Sequence, residues 1–433
     1  MREVVVTGIG PLLPGCSSRT QLWRQLVEGQ SQLSFEPAPG GDGSMWPVGR
    51  IRAFDPGRYL ASISPQHYKK YTRDQQIYVA SMVLARADAR LDLSLIDADK
   101  IGIFDGTSRG SFDAWYERIR AEATTPAHEL YTHRELIFGM PGVAAALAAL
   151  NFKTRGPAYT FHATCASGSV AIGHAYREIV AGLVDVAFAS GHDSALSAPI
   201  YHMYRDADLL CDEQEDATRA VRPYVGHSRN AFGEGAVTLV LEERAHAEAR
   251  GATILAALTG YHYSNSGEHP TAVDTTGGLP AELVANLLDS AHTDSERVSF
   301  VVGHGNGVPM SDLSEIAMMR RLFGARTSSV PLISTKPIYG HLLGASSALN
   351  VAAAALMLHE GHVIPTLNID EENIVAGMNH QANRSAVKPC DVGLALSYGL
   401  GGQNAALSLT KPPISAWVRR RRPAAARHLG IAS

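Results

Sequence analysis

The chain reads as an α/β protein built twice over, and three observations lead there. Short apolar runs rich in Val, Ile and Ala alternate with stretches of helical spacing along its length, the pattern of layered, mostly parallel sheets flanked by helices. The alternation runs through two series, residues 1–251 and 252–412. Each series holds one segment, 139–150 and 345–358, that is small and apolar almost throughout. A helix without a polar face must be covered on every side, so the expected core is two buried helices between two sheets.

Composition narrows the class. Of 433 residues, 45% are hydrophobic and 18% charged, which is ordinary for a folded globular chain and unlike a fibrous or disordered one. A formal net charge of −4 offers no attraction to nucleic acid. Cys16, Cys165, Cys211 and Cys390 lack the paired spacing of a zinc site or a disulfide framework, so no metal is expected and a reducing cytoplasm fits. The first residues enter a β-like run at once, without the long apolar stretch of a signal peptide or a membrane span.

In order, residues 2–8 form a candidate central strand ending in a turn at Gly8-Ile-Gly-Pro11. Thr20 is placed to cap a helix over 21–28, and Gly29 to stop it. Pro, Gly and isolated aromatics make 30–75 an irregular excursion. Ile77, Ala80, Val83, Leu84 and Ala87 give 74–91 a helical stripe, and 100–105 is a strand that runs into Gly106-Thr-Ser-Arg109-Gly110. After 139–150 come a strand to Ala163, a helix from Ser167 to Val180, strands at 184–190 and 236–242, and a helix at 244–250. The second series has strands at 254–259, 297–302, 330–334, 392–396 and 405–409, and helices at 279–291, 312–322 and 345–358.

Reactive residues stand in turns that follow strands, where open α/β sheets bind ligands. Cys165 lies between a strand and the helix beginning at Ser167, so free backbone N–H groups and the helix dipole favour its thiolate. Its small neighbours Ala163, Ala166, Ser167 and Gly168 leave room for a substrate. A lone cysteine is as readily a core residue, so this reading depends on partners elsewhere in the chain. His304 in Gly303-His-Gly-Asn-Gly307 and His341 in Ser334-Thr-Lys-Pro-Ile-Tyr-Gly-His341 supply two imidazoles. Lys336 supplies an ammonium that needs an anion, with Glu315 as the candidate, and Tyr398-Gly-Leu400-Gly-Gly402 supplies a loop of backbone donors.

Taken in order and spacing, these pieces resemble the β-ketoacyl synthases of the thiolase superfamily, above all the condensing enzymes of bacterial type II fatty-acid and polyketide synthesis. The resemblance covers residues 1 to about 412 and includes Thr164-Cys-Ala-Ser-Gly, Phe232-Gly-Glu-Gly-Ala, and Ser397-Tyr-Gly-Leu-Gly-Gly-Gln-Asn. It implies a thiolase fold, a duplicated five-layered α-β-α-β-α architecture, and decarboxylative Claisen condensation of a malonyl thioester onto an acyl group held by Cys165. It further implies that His304 and His341 hold the malonyl thioester oxygen through Nε2–H, and that the backbone N–H groups of Cys165 and Leu400 form a second oxyanion site. Lys336, with Glu315 and Asp312 in support, would set the field around the histidines, and Gly399, Gly401 and Gly402 would shape the gate around Leu400. No cofactor is expected beyond the phosphopantetheine of an acyl carrier protein. That carrier is one implied partner, and the other is a second subunit, identical or a homologous chain-length partner, paired through the edge strand 158–163.

Departures from the family pattern bear on substrate. Asn306 and Val308 stand where elongating enzymes usually carry hydroxyls, Leu400 replaces a larger aromatic gate, and Arg109 occupies a position often apolar. Arg109, Asn306, Val308, Thr271 and Tyr398 are the channel candidates, with Arg109 facing either the substrate or the subunit interface. A non-elongating acyltransferase using the same cysteine is the alternative activity, and a non-catalytic chain-length subunit, which usually lacks the cysteine, is a third. Residues 413–433, with four consecutive Arg from Arg419, are expected to form a mobile basic tail, either a solubility extension or an electrostatic guide for an acidic carrier.

Overall fold

The computed structural model describes residues 2–412 except 40, 42, 62 and 141, so the basic tail lies outside the described residues. Ten strands carry the architecture: β1 (Val4–Leu12), β2 (Ile101–Thr107), β3 (Ala158–Phe161), β4 (Val186–Asp193), β5 (Gly235–Glu243), β6 (Ala256–Asn265), β7 (Val298–Val302), β8 (Leu332–Ile333), β9 (Val392–Gly399) and β10 (Gln403–Thr410). The helices that pack on them are α1 (Arg19–Glu28), α2 (Arg73–Asp88), α3 (Val143–Phe152), α4 (Ser167–Val180), α5 (Gly278–Ser290), α6 (Pro309–Phe323) and α7 (Gly344–Glu360).

The duplication is visible in the strand order. The sheet runs β8-β7-β9-β10-β6-β1-β5-β4-β2-β3, so each half has the order third, second, fourth, fifth, first. The expected two sheets are therefore joined edge to edge, by an antiparallel seam at Val4–Leu258, Val5–Ala257 and Val6–Ala256. Nor are the strands mostly parallel: in each half the second strand pairs in parallel with the third and fourth, while the fifth pairs antiparallel with the fourth and first. For β9 and β10 the reason is the short turn at Leu400–Gly402, which can join only antiparallel neighbours.

Five layers result. Helices α2 and α3 cover one face of the first half, α5 and α6 cover the second half, and α4 and α7 pack together between them. The central pair is thus α4 with α7. The 139–150 segment expected to be enclosed is α3, which lies outside on β2 and β3 and leaves Leu150 73% exposed. Helix α7 is buried along nearly its whole length, yet it is not wholly apolar, since Ser346, Ser347 and Asn350 are buried in it.

Local corrections have simple causes. Strand β1 continues through Gly8 and Gly10 to Leu12 instead of turning, because these glycines let α2 lie directly on it, and a Cβ on Gly10 would strike the backbone of Ser81 and Ala85. Ser18, not Thr20, caps α1 by accepting the Gln21 N–H at 3.2 Å, while Gly29 ends it in the left-handed conformation as expected. The excursion at 30–75 contains two strands, Ser34–Pro37 and Met45–Gly49, as well as short helical turns. The edge expected at 158–163 is the terminal strand β3, with Tyr159 half exposed.

Gly106, at the end of β2, has the carbonyl of Ser167 where a Cβ would stand. Gly106→Ala pits a methyl against rigid backbone at the start of α4 and is expected to cost about 1–3 kcal/mol. A fall in the urea midpoint at unchanged m-value checks this.

Candidate active site

Cys165 sits in a single helical turn, Thr164–Ala166, between β3 and α4. Thr164 has φ 49°, a left-handed conformation that a β-branched residue adopts at a cost. Its hydroxyl donates to the Leu400 carbonyl at 3.3 Å, and Gly399 packs against it so closely that no side chain fits there. The strained turn is thereby held to the 398–402 loop, which brings Leu400 beside the nucleophile turn.

His341 reaches the same point from the second half. The 231–233 segment clamps its backbone, the His341 N–H donating to Ala231 O at 2.7 Å and the Gly233 N–H to His341 O at 3.1 Å. Nearby, Glu234 accepts from Arg73 at 2.6 and 2.8 Å and from Ser194 at 2.6 Å, which anchors the Phe232-Gly-Glu-Gly motif. His341 Nε2 lies 3.0 Å from Cys165 Sγ, and its Nδ1 lies 2.9 Å from the Ser346 hydroxyl on α7. The His304 ring stands perpendicular to His341 with centroids 5.5 Å apart.

Glu315 on α6 shapes the His304 turn by accepting the N–H groups of His304 and Gly305, each at 2.7 Å. The expected Lys336–Glu315 ion pair is replaced by an arrangement about that turn. Lys336 Nζ donates to the His304 carbonyl, while Glu315 holds the amides on either side of it. Asp312 lies further back, accepting the Tyr224 N–H at 2.6 Å. Asn350, at the centre of α7, donates to Gly303 O at 2.9 Å and Leu396 O at 3.1 Å and accepts the Thr335 hydroxyl at 3.0 Å.

Burial dominates the electrostatics. It pushes the Cys165 thiol up to about 11, against the opposing pull of Lys336 and Arg109, so the thiolate expected from the helix terminus is not the resting form. Burial and Lys336 hold His341 well below its ordinary value, and burial, Lys336 and His341 do the same for His304, so both imidazoles are neutral. Burial brings Lys336 down to about 8, although Glu315, Cys165 and Asp312 favour its charge. Asp312 is raised to about 8, first by burial.

A cavity of about 680 Å³ opens onto these groups. Its walls include Cys165, His304 and His341 together with Asn306, Val308, Thr271, Tyr398 and the 399–402 loop. Lys336, Glu315 and Asp312 stand behind the walls. Arg109 is not a wall residue: its guanidinium lies over the ring of Tyr204, which is, and donates to the Tyr204 hydroxyl at 3.2 Å. Three contributors escaped sequence reasoning, namely Asn350, Ser346 and Asp193. Asp193 gathers Thr107 Oγ1 at 2.9 Å and the N–H groups of Ser108, Arg109 and Gly344 at 2.9, 2.9 and 2.7 Å. An aspartate closing the apolar run 184–190 was the available signal for it. Among the described residues no cluster of three or more His, Cys, Asp or Glu could hold a metal.

A thiol, two neutral imidazoles and a buried ammonium around one cavity define an acyl-transfer site of the thiolase kind. The model of the β-ketoacyl synthase N-terminal domain matches residues 1–247 and that of the C-terminal domain residues 255–370, and the chain belongs to the β-ketoacyl synthase family. It is 28% identical to the 3-oxoacyl-[acyl-carrier-protein] synthase 2 of Synechocystis sp., over 95% of this chain and 98% of that protein. It is 30% identical to the oxytetracycline polyketide putative beta-ketoacyl synthase 1 of Streptomyces rimosus, over 95% and 97%. Among solved structures it resembles the ishigamide ketosynthase/chain length factor, with a TM-score of 0.87 and 26% identity over 95% of this chain and all of that one.

Because burial pushes the thiol up to about 11 and the Lys336 charge lowers it, alkylation of Cys165 by iodoacetamide should rise steadily between pH 7 and 10, and by less than about tenfold per unit around pH 8, where Lys336 loses its charge. Lys336→Met removes the lowering charge and should slow labelling at pH 7, where Lys336 is still protonated, by about threefold or more, with the difference fading above pH 8. Cys16 and Cys211, pushed up to about 12, should lag behind. Peptide mapping after brief exposure measures all of these rates.

Proposed function

We propose that this chain is a β-ketoacyl-[acyl-carrier-protein] synthase of a type II polyketide or specialised fatty-acid pathway. The observation that carries the proposal is the 3.0 Å approach of Cys165 Sγ to neutral His341 Nε2, with His304 at right angles in the same cavity. Cys165 loses its proton to His341 as it attacks an acyl thioester, and the departing pantetheine thiol takes a proton away, leaving the acyl group on sulfur. A malonyl thioester then enters, its C–C bond to the carboxylate breaks, CO₂ leaves, and the electron pair forms an enolate whose oxygen faces the Nε2 atoms of His304 and His341. The enolate carbon attacks the acyl-Cys165 carbonyl, and the N–H groups of Cys165 and Leu400 receive the oxyanion before the C–S bond breaks. Ser346 suits both steps for His341, since a hydroxyl can accept from Nδ1–H or donate to bare Nδ1. Lys336 stays outside the bond changes and favours negative charge near His304.

The reading divides the chain into a nucleophile half at 1–251, a His/Lys/His half at 252–412 and a tail at 413–433. It needs no cofactor of its own, since phosphopantetheine arrives on the carrier protein. Among the described residues no helix is long and apolar enough to cross a membrane, and the site of action proposed is the cytoplasm. The unpaired edge of β3, with Tyr159 and Leu150 exposed nearby, supports pairing with an identical or homologous subunit.

Release of labelled CO₂ from malonyl-carrier protein tests the chemistry. Wild type and Cys165→Ala should both release it, and His304→Ala should lose ~10²–10³ of the rate. No release from either of the first two would sink the condensation reading and leave the acyltransferase alternative standing. Light scattering at micromolar concentration should return twice the chain mass when the protein is purified alone or with its homologous partner, and a monomer in both preparations would refute the pairing.

A further inference from the structure

The His304 ring is faced by donors on both of its nitrogens. The Tyr398 N–H points at Nδ1 from 3.4 Å, and the Asn306 Nδ2 amide lies 3.2 Å from Nε2. The amide cannot be turned over to offer its oxygen, because Asn306 Oδ1 already accepts the Val308 N–H at 3.0 Å in a turn closed on its own backbone. The turn is fixed on every side: Glu315 holds the His304 and Gly305 amides, Lys336 the His304 carbonyl, and Ser334 the Gly305 carbonyl at 2.6 Å.

A neutral imidazole carries one ring N–H, so in either tautomer one N–H confronts another. With the proton on Nδ1 the conflict is with Tyr398, whose N–H belongs to the backbone and cannot turn away. With the proton on Nε2 the conflict is with Asn306, and an acceptor atom placed between the two relieves it. Asn306, His304, His341 and Cys165 all line the same cavity, so such an atom belongs to the ligand. A site that stores two opposed donors is preorganised for an oxygen that gains negative charge.

We propose that Asn306 is a catalytic donor, its Nδ2–H joining His304 Nε2–H on the thioester oxygen of a malonyl-type extender as that oxygen becomes an enolate. This inference rests on the condensation reading above. In the step itself only the C–C bond to the carboxylate breaks, CO₂ departs, and Asn306 exchanges no proton. It adds a hydrogen bond that no change of tautomer can remove, beside an imidazole whose single N–H can move from Nε2 to Nδ1.

The test uses malonyl and butyryl thioesters of N-acetylcysteamine with the full-length protein, following CO₂ release from the first and the mass shift of Cys165 from the second. For Asn306→Ala the ratio of decarboxylation to acylation should fall about 10²-fold relative to wild type. Asn306→Asp separates donation from architecture, because its carboxylate can still accept the Val308 N–H but presents an acceptor and a charge to the enolate. The donor role requires Asp to be the slowest of the three in decarboxylation. Asp equal to wild type, with Ala impaired, would assign Asn306 to the turn alone and overturn the proposal, as would an unchanged ratio in Ala. Absence of CO₂ from the wild type would instead remove the condensation reading, and this inference with it.

Discussion

The geometry of this site depends on one buried amide. Asn350 stands in the most deeply buried helix of the chain, where an unpaired polar group costs about 1–3 kcal/mol, and it meets three partners from three different strand ends. Gly303 precedes His304, Thr335 precedes Lys336, and Leu396 precedes the Tyr398 loop, so a single side chain sets the relative height of three functional turns. Each bond contributes only about 0.5–1.5 kcal/mol net. Their value is positional, because a slip of any of the three strands would leave Asn350 unsatisfied in a place water does not reach. Ser346, one turn earlier on the same helix, orients His341. The helix thus serves as the template on which the second half arranges its chemistry.

Electrically, the site is quiet. Desolvation outweighs the attraction between its charges, so the thiol keeps its proton and both imidazoles remain neutral. A permanent thiolate would have been exposed to every passing electrophile, whereas a thiol 3.0 Å from a neutral imidazole becomes a nucleophile only when a carbonyl is there to receive the charge. Neutral His304 and His341 suit the second step too, since an imidazolium would hand a proton to the enolate and quench it.

Much of this was legible in the sequence. The strand-turn-helix around Cys165, the glycine-flanked histidines and the alternation of strands and helices picked out Cys165, His304, His341 and the 398–402 loop, the family resemblance added Asn306, Val308 and Thr271, and all of these line one cavity. What misled was local pattern where tertiary contact decides. Gly8 and Gly10 look like a turn because their role, admitting α2 against β1, involves residues over seventy positions away. The 139–150 segment looks enclosed because small residues are the same letters whether a helix is central or peripheral. Asn350 and Ser346 were invisible inside a run of apolar letters, since the bonds that justify them come from other strands. Similarly, the helix N-terminus argued for a thiolate, but depth of burial cannot be read from spacing.

The nucleophile comes from the first half of the chain and its imidazole partners from the second, while the direct strand pairing between halves is three residue pairs at the seam and one bridge at Phe232–His341. The reactive distance is therefore a distance between two lobes, kept by the contact of α4 with α7 and by the 231–233 clamp on the His341 backbone. Such a centre has no independent life as a loop or a subdomain: loosening the packing between lobes separates sulfur from imidazole before either lobe has melted. Heat inactivation should consequently report the inter-lobe packing, making loss of turnover an early gauge of unfolding rather than a late one.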